Sequence, residues 1–598
     1  MEQLTNLVVL DLSDNNITGP VPAFIRSMAG LVVLDLSSNK MEGPIPKFIR
    51  QFTSLRTLDL SNNHLNGSVP YEIGMLTNMI SLFLNNNHLD GVIDEGHFAN
   101  VRSLYYIDLS YNSFKIELSS EWRPPFRLCM AHFASCQMGP LFPAWLQWQV
   151  DIIEIVISSA GIIDKFPHWF CSSLPNLLYL NMSDNQLYGD LPLHMGNMSL
   201  DEVYLSSNLL TGQVPPLPIT LTHLDISKNS LSGPLPSNFG SPKLAELSLF
   251  SNRITGGIPR SLICQCEELE ILDLANNYFE GELPSCAGIR AIKNIELSHN
   301  SFFGEFPSFL ENCTALQFLD LAGNKFFGRL PPWIGNLVRL QFLRLSHNMF
   351  SGNIPTNLTN LACLKYLDVA GNGISGLLPR HIWNLKSMRQ KHWEANPLTC
   401  IYSEPIEYHS VSLYATTKGQ QRDYGSSGRI MDLNTIYFDL SSNYLTGELP
   451  EELASLDLLR NLNLSRNNFT GNIANSVGAM QFLESLDLSR NDLSGEIPES
   501  LSNMTFLSYL DMSYNNLTGR IPSGSQLDTL YAAYPSMYAG NIGLCGPPLK
   551  NNCTSTDASK QDHYTRTEQG HGPEFFYLGL ICGIIAGILV VYCSLLLK

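Results

Sequence analysis

The sequence predicts an α/β repeat solenoid, a curved superhelix with a parallel β concave face, followed by one transmembrane helix. Three observations predict it. A motif such as LESLDLSRNDLSGEIP, Leu483 to Pro498, recurs from the first residues almost to the C-terminal apolar tail. Within it an Asn returns at a nearly constant interval. Residues 575–597 contain no charged side chain.

Each part of the motif has a physical job. Leu483, Leu486 and Leu488 are expected to face inward from a short strand, because strand side chains alternate with period two. Asn491 falls where the chain leaves the strand, and its amide can satisfy backbone groups of neighbouring coils. Gly495 permits a tight turn and Pro498 stiffens the return path. The run fits the leucine-rich-repeat pattern, and its LSGEIP half resembles the plant extracellular subtype.

With the Asn as a ruler, the chain gives Asn15, Asn39, Asn63, Asn87 and Asn112, then Cys136 and Ala160 in its place. Asn185, Asn208, Asn229, Asn252, Asn277, Asn300, Asn324, Asn348 and Asn372 follow, and after a gap Asn443, Asn467, Asn491 and Asn515. Sixteen repeats, an interruption and four more repeats result. At about 4.8 Å per parallel strand, twenty repeats would line an arc of roughly 100 Å. Strands are expected on its inner side and irregular segments on the outer. Such a surface binds; it does not readily build a catalytic pocket.

Composition narrows the function classes. The formal charge of −18 argues against a nucleic-acid partner, and the 13 cysteines suit an oxidising compartment. Met1 leads directly into the first repeat, with no secretory leader and no N-terminal cap, so the start is read as a truncation, an internal start or an incomplete gene model. No kinase loop, nucleophile elbow or HExxH motif appears, so no enzyme is expected. Neither a cofactor nor a metal is implied: Cys264-Gln265-Cys266 has no second ligand pair at zinc spacing.

On the concave face, the residue between two inward apolars should point to solvent. It is mostly Asp (Asp11, Asp35, Asp59, Asp108, Asp225, Asp273, Asp320, Asp368, Asp439, Asp487, Asp511), expected to be solvated and without partners. Exceptions include Phe83, His132, Tyr204 and Arg344, of types enriched at binding hot spots. Phe83, His132 and Tyr204 lie near the two repeats that lack the Asn, and with Arg344 they are the candidate ligand contacts.

The same region holds WRPPF (Trp122 to Phe126), SCQMGPLFPAWL (Ser135 to Leu146) and GIIDKFPHWF (Gly161 to Phe170). On these motifs the chain resembles plant leucine-rich-repeat receptor-like proteins of the class that includes the fungal-xylanase receptors, and the likeness runs from Leu7 onward. The resemblance implies the following organisation: repeats over 1–379, an island domain at 380–432, four repeats at 433–522 and a C-terminal cap at 523–553. An acidic juxtamembrane segment at 554–574, the transmembrane helix at 575–597 and a residual tail at 598 complete it. The island's Trp383, Trp393, Tyr414 and Lys418 join the candidate ligand contacts, since a Trp-, Tyr- and Arg-bearing insertion is unlike a plain linker. Composition and resemblance together suggest a cap closed by Cys545 and Cys553. Cys264 or Cys266 with Cys286 is a second bridge that spacing leaves open.

Sequons stand at Asn16, Asn66, Asn181, Asn197, Asn312, Asn357, Asn463, Asn468, Asn503, Asn516 and Asn552, favouring the extracellular side. The terminal apolar run would span about 35 Å as a helix. Gly579, Gly583 and Gly587 fall on one of its faces at the small-xxx-small spacing that lets helices approach. By resemblance this helix pairs with an adaptor receptor kinase, and a co-receptor kinase docks at the island and last repeats. The expected protein is a single-pass type I receptor in the plasma membrane, with its repeats outside. It would bind a microbial protein or peptide and signal in immunity through a partner kinase. Alternatives are a developmental peptide co-receptor, an inhibitor of cell-wall-degrading enzymes, and a non-functional fragment, tail-anchored if the missing leader is real.

Overall fold

The fold follows from one coil repeated, and a computed structural model places it. The structure describes residues 6–286, 289–389, 400 and 436–553, with the backbone of 413–417 and 420–424. Two compact units divide the chain, 1–551 and 552–598; of the second, 552 and 553 are described.

In the coil that begins at Ser485, Leu486 and Leu488 are buried while Ser485 and Asp487 share the opposite face of the strand. The carboxylate of Asp487 accepts from the Ser489 amide at 3.0 Å and hydroxyl at 2.7 Å, which turns the chain. Arg490 then takes a left-handed φ of 56° and delivers Asn491 inward. Its Nδ2 donates to the carbonyls of Leu464 (3.0 Å), Leu488 (3.1 Å) and Ser489 (3.3 Å), and its Oδ1 accepts from the Phe469 amide at 3.1 Å. The Asn therefore stitches adjacent coils through backbone groups that no strand could satisfy.

Twenty strands, from Val9–Asp11 to Tyr509–Asp511, pair in parallel and in register as one sheet. The other side of the coil is more ordered than the irregular path expected. A second set of short strands, such as Asp492–Gly495, forms a 12-stranded sheet along the C-terminal repeats. Five-residue 3-10 turns follow, as at Glu499–Asn503 behind Pro498. Proline fixes φ at the entry, and the turn ends within one repeat, so α-helix is scarce. The expected α/β solenoid is thus a parallel-β solenoid with 3-10 turns. Gly495 takes a left-handed φ of 75°, where any side chain would strain the backbone.

The core is continuous from coil to coil. Phe279, Phe302, Phe326 and Phe350 stack in succession at 5.8, 6.4 and 6.3 Å between ring centres. The two repeats without the Asn are repaired locally. Cys136 Sγ donates to the Leu109 carbonyl at 3.3 Å, and Asn185 Oδ1 accepts from both Ala160 N (3.1 Å) and Ile162 N (3.0 Å). WRPPF and its neighbours pack an aromatic cluster of Phe98, Trp122, Phe126, Phe133 and Trp145, so these motifs serve packing in this region.

Cys264 bonds Cys286, which settles the open alternative, and Cys266 is free and buried. A second disulfide joins Cys363 to Cys400, a pairing that spacing alone does not indicate. Cys545 and Cys553 are both disulfide-bonded. Repeat packing runs past Arg380 to Met388, where Ile382, Leu385 and Met388 are buried. In the insertion, Leu413–Thr417 and Gln420–Tyr424 pair antiparallel. The cap adds helix Ser525–Ala533, strand Gly543–Cys545 and a further ladder residue, Asn541, whose Nδ2 donates to the Met512 carbonyl at 3.0 Å. Among the described residues no helix is long and apolar enough to cross a membrane. The run 575–597, with Gly579, Gly583 and Gly587, lies outside them.

Candidate functional site

Because the strands pair in register, the third residue of each forms one row across the sheet. Phe83, Asp108, His132, Val156, Asn181, Tyr204 and Asp225 are consecutive members. All seven are partly exposed. The three predicted contacts thus share a face. They do not touch one another: Asp108 separates Phe83 from His132, and Val156 and Asn181 separate His132 from Tyr204. His132 lies 3.7 Å from Asp108 and 3.3 Å from Glu154, while the Tyr204 hydroxyl donates to Glu202 at 3.0 Å.

A second outward row was missed in the sequence. Period two puts the first strand residue on the same face, which adds Tyr106, Met130, Glu154, Tyr179, Glu202 and His223. The Tyr179 and Tyr204 rings stand 5.6 Å apart. From Val9 to Ser248, the outward positions carry Asp11, Asp35, Asp59, Asp108, Glu154, Glu202, Asp225 and Glu246, and neither Lys nor Arg.

Further along, both rows close. Asp273, Glu296, Asp320, Arg344, Asp368 and Asp439 are all buried, and beside them Phe318, Phe342, Tyr366 and Tyr437 stack at 4.0, 4.2 and 4.5 Å. The insertion leaves and rejoins the sheet between Tyr366–Asp368 and Tyr437–Asp439, inside this closed stretch. Two expectations fail here. The row's Asp residues are not partnerless, since most bind the Ser or Ala amide two residues on. Nor is Arg344 an exposed contact: only 3% exposed, it donates to Asp320 at 3.1 Å and lies 3.5 Å from Asp368.

Burial dominates the electrostatics of this stretch. It pushes Asp273 up to about 8, Asp439 to about 7 and Asp487 to about 6, and raises Glu296 and Asp368 as well. Burial opposes the charge on Arg344, but Asp320 and Asp368 outweigh it and keep the guanidinium protonated. A groove of about 560 Å³ runs on from here, lined by Arg344, Asp368, Asp439, Asp487, Arg490 and Tyr514 among others.

Of the island candidates, Trp383 is half-buried on a 3-10 turn, away from the strand rows, and its carbonyl accepts from Arg389. Tyr414 lies opposite Asp423 in the antiparallel pair. Trp393 and Lys418 fall outside the described residues. Asn16, Asn66, Asn197, Asn312, Asn357, Asn468, Asn503, Asn516 and Asn552 are exposed, and Asn181 is half-buried. Asn463 is different: buried, it donates to Asp439 at 3.0 Å and accepts from Ser465. At this buried Nδ2 there is no room for a sugar, so a glycan would force the row open. Glycopeptide mass spectrometry should find Asn468 occupied and Asn463 bare; a glycan on Asn463 in folded protein would contradict this packing.

Comparison with known proteins agrees with the geometry. Leucine-rich-repeat patterns match residues 5–65 and nine segments between 220 and 526. Receptor-like protein EIX1 of Solanum lycopersicum is 40% identical over 127 residues, 21% of this chain and 12% of that protein. Receptor-like protein EIX2 of the same plant is 38% identical over 130 residues, 22% of this chain and 13% of that protein. The matches thus span about an eighth of these relatives' length. Among solved structures, the Arabidopsis receptor kinase HAESA, in complex with the peptide hormone IDA and the co-receptor SERK1, superposes with a TM-score of 0.73. It is 30% identical, with 91% of this chain and 87% of that chain covered.

Proposed function

We propose, for a chain that belongs to the plant leucine-rich-repeat receptor-like proteins, that the strand face around Phe83, His132 and Tyr204 captures an extracellular protein or peptide of microbial origin. The observation that carries this reading is the contrast along one sheet. The row from Phe83 to Asp225 is open and bears aromatic side chains, whereas the row from Asp273 to Asn463 is already buried. Open, rigidly spaced aromatics supply contact area at small entropic cost. That the HAESA ectodomain is seen with a peptide hormone and a co-receptor supports the same division of labour here.

Signalling is assigned to partners, in immunity. The run 575–597 anchors the chain once in the plasma membrane with the repeats outside, and Gly579, Gly583 and Gly587 seat an adaptor receptor kinase. The insertion, with Trp383, Trp393, Tyr414 and Lys418, and the last repeats receive a co-receptor kinase. Arg344 belongs to the scaffold. Leaves expressing the full chain should give an oxidative burst to microbial culture filtrate. The combined substitution Phe83→Ala, His132→Ala and Tyr204→Ala should abolish it at equal surface abundance; an undiminished burst would sink the reading. Loss of kinase co-precipitation in Gly583→Leu tests the helix separately.

A further inference from the structure

Resting on that reading of the strand face, we propose that its occupant is an extended polypeptide segment bearing Lys or Arg side chains, with the main cation seat over Tyr179, between Glu154 and Glu202.

The register sets the seat. Glu154, Tyr179 and Glu202 are directly paired on three adjacent strands, so the two carboxylates stand about 10 Å apart with the phenol ring between them. The Tyr204 ring, 5.6 Å from that of Tyr179 and tilted by 45°, forms one wall. All four side chains are partly exposed, so a ligand can reach them. Burial holds the Tyr179 phenol above its ordinary pKa, against the Asn181 hydrogen bond, and Glu202 and Glu154 add to the rise. A ring face flanked by two carboxylates attracts a guanidinium or ammonium through its quadrupole and through charge.

Charge complementarity carries the assignment beyond this seat. The outward strand positions of the open half hold carboxylates and no Lys or Arg, so no permanent cation repels a cationic partner there. His132, 3.3 Å from Glu154, already contacts one side of the seat. Length favours a peptide. From Phe83 to Tyr204 the row crosses six strands, about 24 Å, which an extended chain covers with about seven residues.

The test uses the full chain in detergent with nine-residue peptides that alternate Phe with Arg, Gln or Glu, and with spermine. The Arg peptide should bind, and Glu154→Gln with Glu202→Gln should weaken it by about tenfold or more. Asp11→Asn with Asp35→Asn, the same loss of charge elsewhere on the sheet, should leave it unchanged. Equal weakening by both pairs, no binding of the Arg peptide, or equally tight binding of spermine would overturn the proposal. If the Gln peptide binds as well as the Arg peptide and Glu154→Gln with Glu202→Gln changes nothing, the cation assignment falls. In that case the Phe83, His132 and Tyr204 triple variant decides the wider reading: loss of peptide binding keeps the ligand face, and unchanged binding removes it too.

Discussion

Replacing Arg344 with Met is expected to destabilise the central repeats by about 3–5 kcal/mol at neutral pH, the usual cost of orphaning one side of a buried ion pair. The guanidinium stands between Asp320 and Asp368, and the same row places Asp273, Glu296 and Asp439 within a few strands. Met keeps most of the volume, so the loss is electrostatic rather than a cavity. The pH profile separates the two. Asp273 and Asp439, at about 8 and about 7, bind protons more tightly folded than unfolded. Their contribution is complete below the unfolded value near 4 and is lost as pH rises through 7 to 8. Wild type should therefore be more stable at pH 5 than at pH 8, and the variant's deficit should shrink at pH 5, where the orphaned carboxylates can take up protons. Hydrogen exchange of the amides from Phe318 to Asp368 reads this locally, as a repeat array requires. A deficit independent of pH would contradict the electrostatic account.

The closed row also marks where sequence reading stops. Leu486, Leu488 and Asn491 announce their roles because burial and amide pairing repeat with the coil. The Asp487-Leu488-Ser489 turn is equally legible, since an Asp two residues before Ser is a known local bonding pattern; alternation alone, which assigns the carboxylate to solvent, misses it. Tyr179 and Glu202 stand outside the position between the two Leu residues, yet period two exposes the residue before the first Leu as well. Arg344 is another kind of failure. Its strand, Phe342–Arg344, has the same pattern as Ser81–Phe83, yet one outward residue is buried and the other open. That difference depends on contacts remote in sequence, which no local pattern encodes.

Ladder repair yields the second large effect. Asn185→Ala should cost more than the same change at Asn491, about 4 against about 3 kcal/mol, because the two residues serve different numbers of backbone groups. Asn491 satisfies three carbonyls and one amide. Asn185 donates to the carbonyls of Ile157, Met182 and Ser183, and also accepts from two amides, Ala160 N and Ile162 N. The preceding coil has Ala160 where an Asn would stand, so nothing nearby can take over. Leaving a buried amide unpaired costs about 1–3 kcal/mol, and the variant leaves one more of them than Asn491→Ala does. Hydrogen exchange should show Ala160 and Ile162 losing protection first, followed by the strand Tyr179–Asn181. Equal deficits at the two positions would mean that relaxation or water replaces the second amide's partner, and that the coil around Ala160 is more pliable than its packing indicates. Such pliability would matter for function, because His132 and Tyr179 stand on the strands that flank this seam.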